Sequence, residues 1–388
     1  MINRKGIALA AMLLTIVVYS PLMAQRPSGN PRNADARGGQ RGAGPAPVDY
    51  RPKAQSPEEF QAFQAINTEA SPANKVTLAD TFLTTYPNSN LSGYVQRFRM
   101  EAFTRLGKYK EAVVAGEAGL NLEMKYLESL IAKADAEAAA AKNAPKDNKK
   151  PDKNAPPPPA PIDKNSDAFK QLVDETNKAM LYYYQNLMSN YQSLNDAQKT
   201  IEWAQKALNE QPEDLLTLLT LSSVMAARPS TDPKELDKQM KEAEEHGKKA
   251  LTQVNALLAS PMAAQMRPED KAGLTATVHQ TLGRIYYNTK KYPESQREYG
   301  AAIVAKKDDG DSYFYLGLAL AQDKPPKVDD AMESLAKAVF LGGATKSQAD
   351  DVLKQLYQNA RKAKGVATDK LLEGYDQFIK DAGAKIGK

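Results

Sequence analysis

The 388-residue sequence contains no cysteine. That one absence excludes disulfides, zinc–thiolate sites, iron–sulfur clusters and cysteine nucleophiles. It also excludes a lipid-modified cysteine at the start of a processed chain, so stability must come from packing. Histidine is scarce as well, with only His246 and His279. Neither has a second ligand at a useful spacing, so no metal site is expected. His279 reads as a core or interface side chain, and His246, after Glu244-Glu245, as part of a solvated helix face. The Val/Ile/Thr alternation of half-buried strands is missing. So are Gly-x-Ser-x-Gly, phosphate-binding and dinucleotide-binding glycine patterns in a strand–turn–helix setting. Charge of one sign is not in excess: a net +5 is weak for this length and points to no nucleic-acid partner. Neither an enzyme nor a cofactor is expected.

What is present begins with an export signal. Arg4 and Lys5 precede an apolar stretch from Ile7 to Tyr19, and Ala24 offers a small residue for cleavage. A membrane span needs about 20 apolar residues, so a secretory signal over residues 1–24 is favoured over a retained anchor. No later run is long enough to span. A periplasmic or secreted chain without stable membrane insertion is therefore expected.

Two segments look unable to bury a core. Residues 25–55 are rich in Pro, Gly, Arg and Asn, and read as a disordered leader. Arg37-Gly38-Gly39-Gln40-Arg41-Gly42 within it has the look of an RNA-binding element, but a solvated spacer is favoured. Residues 142–166 contain Lys149-Lys150-Pro151 and the run Pro156 to Pro159, which suits a stiff polyproline loop.

The rest is rich in Ala, Leu, Lys and Glu, which favours helix, and it repeats with a period near 34 residues. The clearest unit is Ala276 to Lys307. His279, Leu282, Gly283 and Tyr286 share one face of a first helix. Ser295, Tyr299 and Ala302 share one face of a second. The next unit repeats the order with Tyr313, Leu316, Gly317 and Leu320, then Ala331, Leu335 and Ala338. The spacing predicts close helix approach at Gly283 with Ala302 and at Gly317 with Ala338. Partial units follow from Gly116 and Gly119, from Leu187, Ala204 and Pro212, and from Leu218, Gly247 and Ala250. Between the helices of this last unit an insertion of about nine residues is expected, ending at Asp232-Pro233-Lys234-Glu235, which reads as a helix cap. A weaker first unit starts at Ser56-Pro57-Glu58-Glu59 and closes with Phe82 and Tyr86-Pro87-Asn88-Ser89. From Met124 the spacing breaks, and one long helix is expected to about Ala141. Two capping helices are expected at Ser347–Lys362 and Thr368–Asp381. The carboxylate pairs Asp308-Asp309, Asp329-Asp330 and Asp350-Asp351 read as helix starts, and Gly342-Gly343 as a helix end.

These positions resemble the tetratricopeptide (TPR) pattern, W-x2-L-G-x2-Y followed by A-x3-F-x2-A and P, with the YPNS closure seen in bacterial envelope members. The resemblance implies an all-α, TPR-like helix-turn-helix solenoid of about six repeats with C-terminal capping helices. Repeats would fill 56–141, 167–260 and 261–345, and caps 346–388. It also implies a groove lined by the first helices. Groove-facing positions are then Tyr94, Arg97, Glu101 and Arg105; Tyr182, Gln185 and Ser189; and Gln280, Arg284, Tyr287, Asn288 and Phe314. At least one ring of Tyr182-Tyr183-Tyr184 should also reach that surface. The Lys/Asn set that clamps a C-terminal carboxylate is not present. The implied function is a non-catalytic scaffold binding another protein or peptide in the cell envelope. An assembly factor for outer-membrane or cell-wall complexes is the alternative, and a glycan-binding protein or enzyme the third.

Overall fold

The computed structural model describes residues 49–143 and 161–387. The expected signal, most of the expected leader and the proline run lie outside the described residues. Within them, all regular structure is helical: fourteen α-helices, two short 3-10 turns and no strand. The helices are α1 (Pro57–Thr68), α2 (Pro72–Thr85), α3 (Ser92–Arg105), α4 (Tyr109–Asn143), α5 (Asp167–Ser193), α6 (Ala197–Glu210) and α7 (Leu215–Ala227). They continue as α8 (Pro233–Ala259), α9 (Pro268–Asn288), α10 (Tyr292–Ala305), α11 (Gly310–Ala321), α12 (Val328–Leu341), α13 (Lys346–Ala363) and α14 (Tyr375–Gly383). The chain divides into two compact units at Asn190/Tyr191, near the end of α5. Each is a run of helix pairs of TPR-like solenoid type.

Local sequence explains the helix starts. Ser56, Ser71, Asp196, Asp214, Asp232 and Asp309 each cap a helix by accepting from a backbone N–H two or three residues on. Such a cap contributes about 1 kcal/mol. At Ser56 the cap is reciprocal across one more residue: the Glu59 carboxylate accepts from Gln55 N at 2.5 Å, and Glu59 is buried.

Two turns recur. Between consecutive helices, one residue takes a left-handed backbone at Gly107, Asn195 and Lys290, with φ of 70°, 63° and 59°. After each, a backbone N–H reaches back to a carbonyl five residues earlier: Lys108 to Phe103, Asp196 to Tyr191 and Lys291 to Tyr286. This is the Schellman closure, which satisfies carbonyls the helix end would orphan. Between pairs, Ser89 N bonds Tyr86 O, Asp214 N bonds Gln211 O, and Asp309 N bonds Lys306 O. Pro87 and Pro212 hold the second position of this turn. Lys307 holds it in the third copy, so the geometry does not require proline.

Packing within pairs depends on glycine in the first helix. A Cβ on Gly283 would lie 2.9 Å from the Tyr299 ring, and one on Gly317 would lie 2.7 Å from Leu335 Cγ and 3.1 Å from the Ala331 carbonyl. The opposing groups are therefore Tyr299 and Leu335, one turn before the expected Ala302 and Ala338. Tyr299 and Leu335 are both fully buried. In the unit up to Asn190, Gly116 faces Met100 and Leu187, and Gly119 faces Tyr183.

Four expectations need correction. The insertion before α8 is taken up mostly as helix: only Arg228–Asp232 separate α7 from α8, and α8 runs to 27 residues. The second capping helix starts at Tyr375, because Gly374 takes φ 76° and interrupts the helical path. Asp350 is not at a helix start. It lies in the second turn of α13, where its carboxylate pairs with Lys354 and accepts from Tyr375 Oη at 2.7 Å. His246 is half-buried on α8, its Nε2 3.7 Å from Glu242, and burial lowers its pKa from the ordinary 6.5.

The contact at Gly283 gives opposite expectations for two glycines of one pair. Gly300, in α10, has nothing within 4 Å of its would-be Cβ. Gly300→Ala should stabilise the protein by about 0.5–1 kcal/mol through helix propensity alone. Gly283→Ala should destabilise it by about 1–3 kcal/mol, because the buried Tyr299 ring, stacked on Tyr315 at 5.5 Å, has nowhere to go. Urea denaturation of the two variants checks the signs. A stabilised Gly283→Ala would remove the close-packing account.

Candidate functional site: the first-helix surfaces

In the unit up to Asn190, α3 and α5 carry seven of the expected groove positions. The structure brings four of them into contact with one another or with the same neighbours. Arg97 lies 3.7 Å from Glu123 of α4, and both side chains are largely buried. Tyr183 Oη donates to Glu123 Oε1 at 2.8 Å and lies 3.1 Å from the Gly93 carbonyl. The Arg97 guanidinium sits 5.0 Å from the Tyr94 ring centre and 6.0 Å from that of Tyr183. Tyr182 Oη donates to Glu101 at 2.8 Å. Gln185 and Ser189 are half-buried further along α5, and Arg105 is exposed at the end of α3. None of the three consecutive tyrosines is fully exposed: Tyr183 and Tyr184 are buried and Tyr182 is half-buried.

The two ends of the ion pair respond oppositely to burial. Desolvation pulls Arg97 down, but Glu123, Tyr183, Tyr94 and Glu101 outweigh it and raise the guanidinium on balance. Desolvation raises the Glu123 carboxyl above its ordinary 4.5, and Arg97 and the Tyr183 hydroxyl offset this only in part. Arginine does not deprotonate in proteins, so the carboxyl is the end that yields. Burial likewise raises Tyr94 and Tyr183. Glu123 was not among the expected site residues. Its signal was the stripe Gly116, Gly119, Glu123, which puts the carboxylate on the packing face of α4.

The end of the expected disordered leader is also placed differently. Residues 49–55 are without regular structure but lie against the helices. The Tyr50 carbonyl accepts from Tyr126 Oη at 2.9 Å, and its ring meets Phe169 edge-on at 5.6 Å. Pro52 borders a void of about 20 Å³ together with Tyr94, Glu123, Tyr126, Leu172 and Thr176. The far end of the expected loop is tied as well: Ile162 N donates to Glu137 at 2.8 Å, and Lys164 pairs with Asp135.

In the unit from Tyr191, several expected groove residues are spent on neighbouring helices. Asn288 donates to the Ala226 carbonyl at 2.8 Å, joining α9 to α7. Gln280 donates to Asp309 at 2.5 Å and to Ser312 at 3.0 Å, joining α9 to the start of α11. Phe314 is a core residue packed with Leu335 and Val339, not a groove residue. The helical period turns its face toward α12. Arg284 lies 5.2 Å from the Tyr315 ring centre, and Tyr287 is half-buried, edge-on to Tyr292. His279 Nδ1 is 2.7 Å from Glu298 and borders an open, mainly apolar recess of about 650 Å³ with Leu258, Thr275 and Val304. Among the described residues, no group of three or more His, Cys, Asp or Glu could hold a metal, and no helix is long and apolar enough to cross a membrane.

No family model and no curated protein matches the chain. Solved structures with some likeness are helical. A human IFIT1 dimer with m7Gppp-AAAA is 14% identical, covers 85% of this chain and 70% of its own, and has a TM-score of 0.39. The Cut9-Hcn1 hetero-tetramer of APC/C is 13% identical, with coverages of 77% and 54% and a TM-score of 0.36. The TPR2AB-domain:pHSP90 complex of yeast Sti1 is 16% identical, with coverages of 84% and 95% and a TM-score of 0.20. At these identities and scores the likenesses have no bearing on function.

Removing Arg97 tests the buried pair. Arg97→Met leaves Glu123 without its cation, which costs about 3–5 kcal/mol when the carboxylate stays charged. The substitution raises the folded-state carboxyl further above its ordinary 4.5. The deficit is therefore full above that raised value and fades as pH falls through it. Urea denaturation at pH 7 and pH 5 should show the gap to the parent narrowing on acidification, and Glu123→Gln in the Arg97→Met background should restore stability at pH 7. A gap independent of pH would refute the further rise of the Glu123 carboxyl on loss of Arg97.

Proposed function

We propose that this chain is an exported, non-catalytic scaffold of the cell envelope that holds a partner protein or peptide on the surfaces of its first helices. The observation that carries this reading is the set of half-buried aromatic and cationic side chains there. Tyr94 and Tyr182 lie in one unit, and Arg284, Tyr287 and Tyr315 in the other. Tyrosine and arginine combine apolar area with hydrogen bonding and carry much of the binding energy at protein interfaces. Helix pairs of this kind present such side chains from a rigid support. Export rests on the N-terminal sequence, with its two basic residues, its short apolar stretch and Ala24.

Tagged full-length chain recovered from the envelope fraction of its native host should begin at or near Gln25 and bring down a defined partner. Arg284→Ala, which removes a cation over Tyr315, should shift stability by no more than about 1 kcal/mol while weakening capture of that partner several-fold. Recovery of chain that begins at Met1 would overturn the export reading. Capture unaffected by Arg284→Ala would remove that surface from the binding site.

A further inference from the structure

The unit up to Asn190 already holds an extended segment against its helices. Residues 49–54 have no regular structure, and side chains hold them on α3, α4 and α5. Tyr50 is gripped at three points: its ring by Phe169, its carbonyl by the Tyr126 hydroxyl, and its own hydroxyl, which accepts from Asp163 N at 3.2 Å. Two residues on, Pro52 sits beside Tyr94, Leu122 and Leu172 over the end of the Arg97–Glu123–Tyr183 cluster. Ala54 then packs on the core of α1, α2 and α3. Between them, Arg51 turns back onto Asp49 at 2.9 Å, with Glu175 and Tyr94 close enough to favour its charge. The Asp49 and Arg51 side chains are each about a quarter exposed, and Lys53 is 62% exposed.

This is how a short peptide ligand is held, by an aromatic anchor, a proline that is already extended and a charge between them. Tyrosine gives large contact area for little lost freedom, and proline costs little entropy to order. A segment held by two rings and a few side-chain hydrogen bonds belongs to the least stable part of a fold and opens first. We propose that Asp49–Ala54 is an exchangeable occupant of the α3–α4–α5 surface, and that the surface takes an extended partner segment with an aromatic residue two positions before a proline. The chain's own segment then sets a threshold. A tethered occupant competes at an effective concentration on the order of millimolar, and an outside segment sees an affinity reduced by the fraction of chain that is open. The proposal rests on the scaffold reading only in supposing an outside partner. The exchange itself needs none.

The probe is a fluorescein-labelled synthetic peptide of residues Asp49–Gln55, titrated into full-length protein and followed by anisotropy. Three proteins are compared: the parent, Tyr50→Ala/Pro52→Ala, and Arg51→Glu. The last replaces the cation that pairs with Asp49 and is favoured by Glu175 with a like charge, and it keeps the Tyr50 and Pro52 anchors, so it is expected to fold even if the first variant does not. Both variants, checked for unchanged helical circular dichroism, should bind the peptide at least about tenfold more tightly than the parent. The same peptide carrying alanine for Tyr50 and Pro52 should not bind. Peptide binding that is absent or equal across the folded proteins would overturn the proposal and make the segment a permanent part of the core. That outcome would leave the envelope-partner reading untouched, since that reading is decided by the pull-down.

Discussion

At Gly283 and Gly317 a first helix lies so close to its partner that a single added carbon would overlap the Tyr299 ring or Leu335. Gly116 and Gly119 make the same kind of approach to Leu187 and Tyr183. A glycine inside a helix costs roughly 1 kcal/mol relative to alanine. It is retained here because the opposing large side chain fills the space a Cβ would take. This contact sets how the α9–α10 and α11–α12 pairs close, and Gly116 and Gly119 set how α4 meets α5. It thereby decides which side chains of a first helix face the neighbouring pair and which are left half-exposed. The left-handed turn residues Gly107, Asn195 and Lys290 each let the chain leave one helix and start the next within three residues.

The same closeness explains the buried charge. Where Gly119 lets Tyr183 reach across α4, the tyrosine hydroxyl meets Glu123, and Arg97 completes the cluster from α3. Three helices are pinned by one carboxylate that burial pushes toward its neutral form. Such a pair is weak evidence for net stability, since its desolvation cost is large. It is strong geometry, however, because a carboxylate in this position accepts only from groups placed within hydrogen-bonding distance. In the unit from Tyr191 the corresponding work is done by neutral amides. Asn288 and Gln280 bond to the helices on either side of α9.

Much of this was legible in the sequence, for identifiable reasons. Helix pairs, glycine contacts and caps such as Ser56 and Asp232 are local or periodic, and period survives in a single sequence. The long helix after Met124 was readable because proline and glycine are missing there until Asn143. What was not legible depends on which face of a helix its neighbour covers. Phe314 occupies a first-helix position that suited a groove, yet it packs into the core with Leu335. Glu123 was not singled out, although its spacing from Gly116 and Gly119 placed it inside. Residues 49–55 carry a disordered composition, and the Phe169 ring, the Tyr126 hydroxyl and the Asp163 amide, all distant in sequence, hold Tyr50 in place.

The central claim is that glycine in a first helix and a large side chain in its partner are one interaction, not two independent preferences. A double-mutant cycle on Gly317→Ala and Leu335→Ala, measured by urea denaturation, tests it directly. Leu335→Ala removes the atom 2.7 Å from the would-be Cβ and leaves the Ala331 carbonyl at 3.1 Å. Gly317→Ala should therefore cost clearly less in the Leu335→Ala background than in the parent, with a coupling of about 0.5–3 kcal/mol. Additive costs, with Gly317→Ala equally damaging in both backgrounds, would contradict the account.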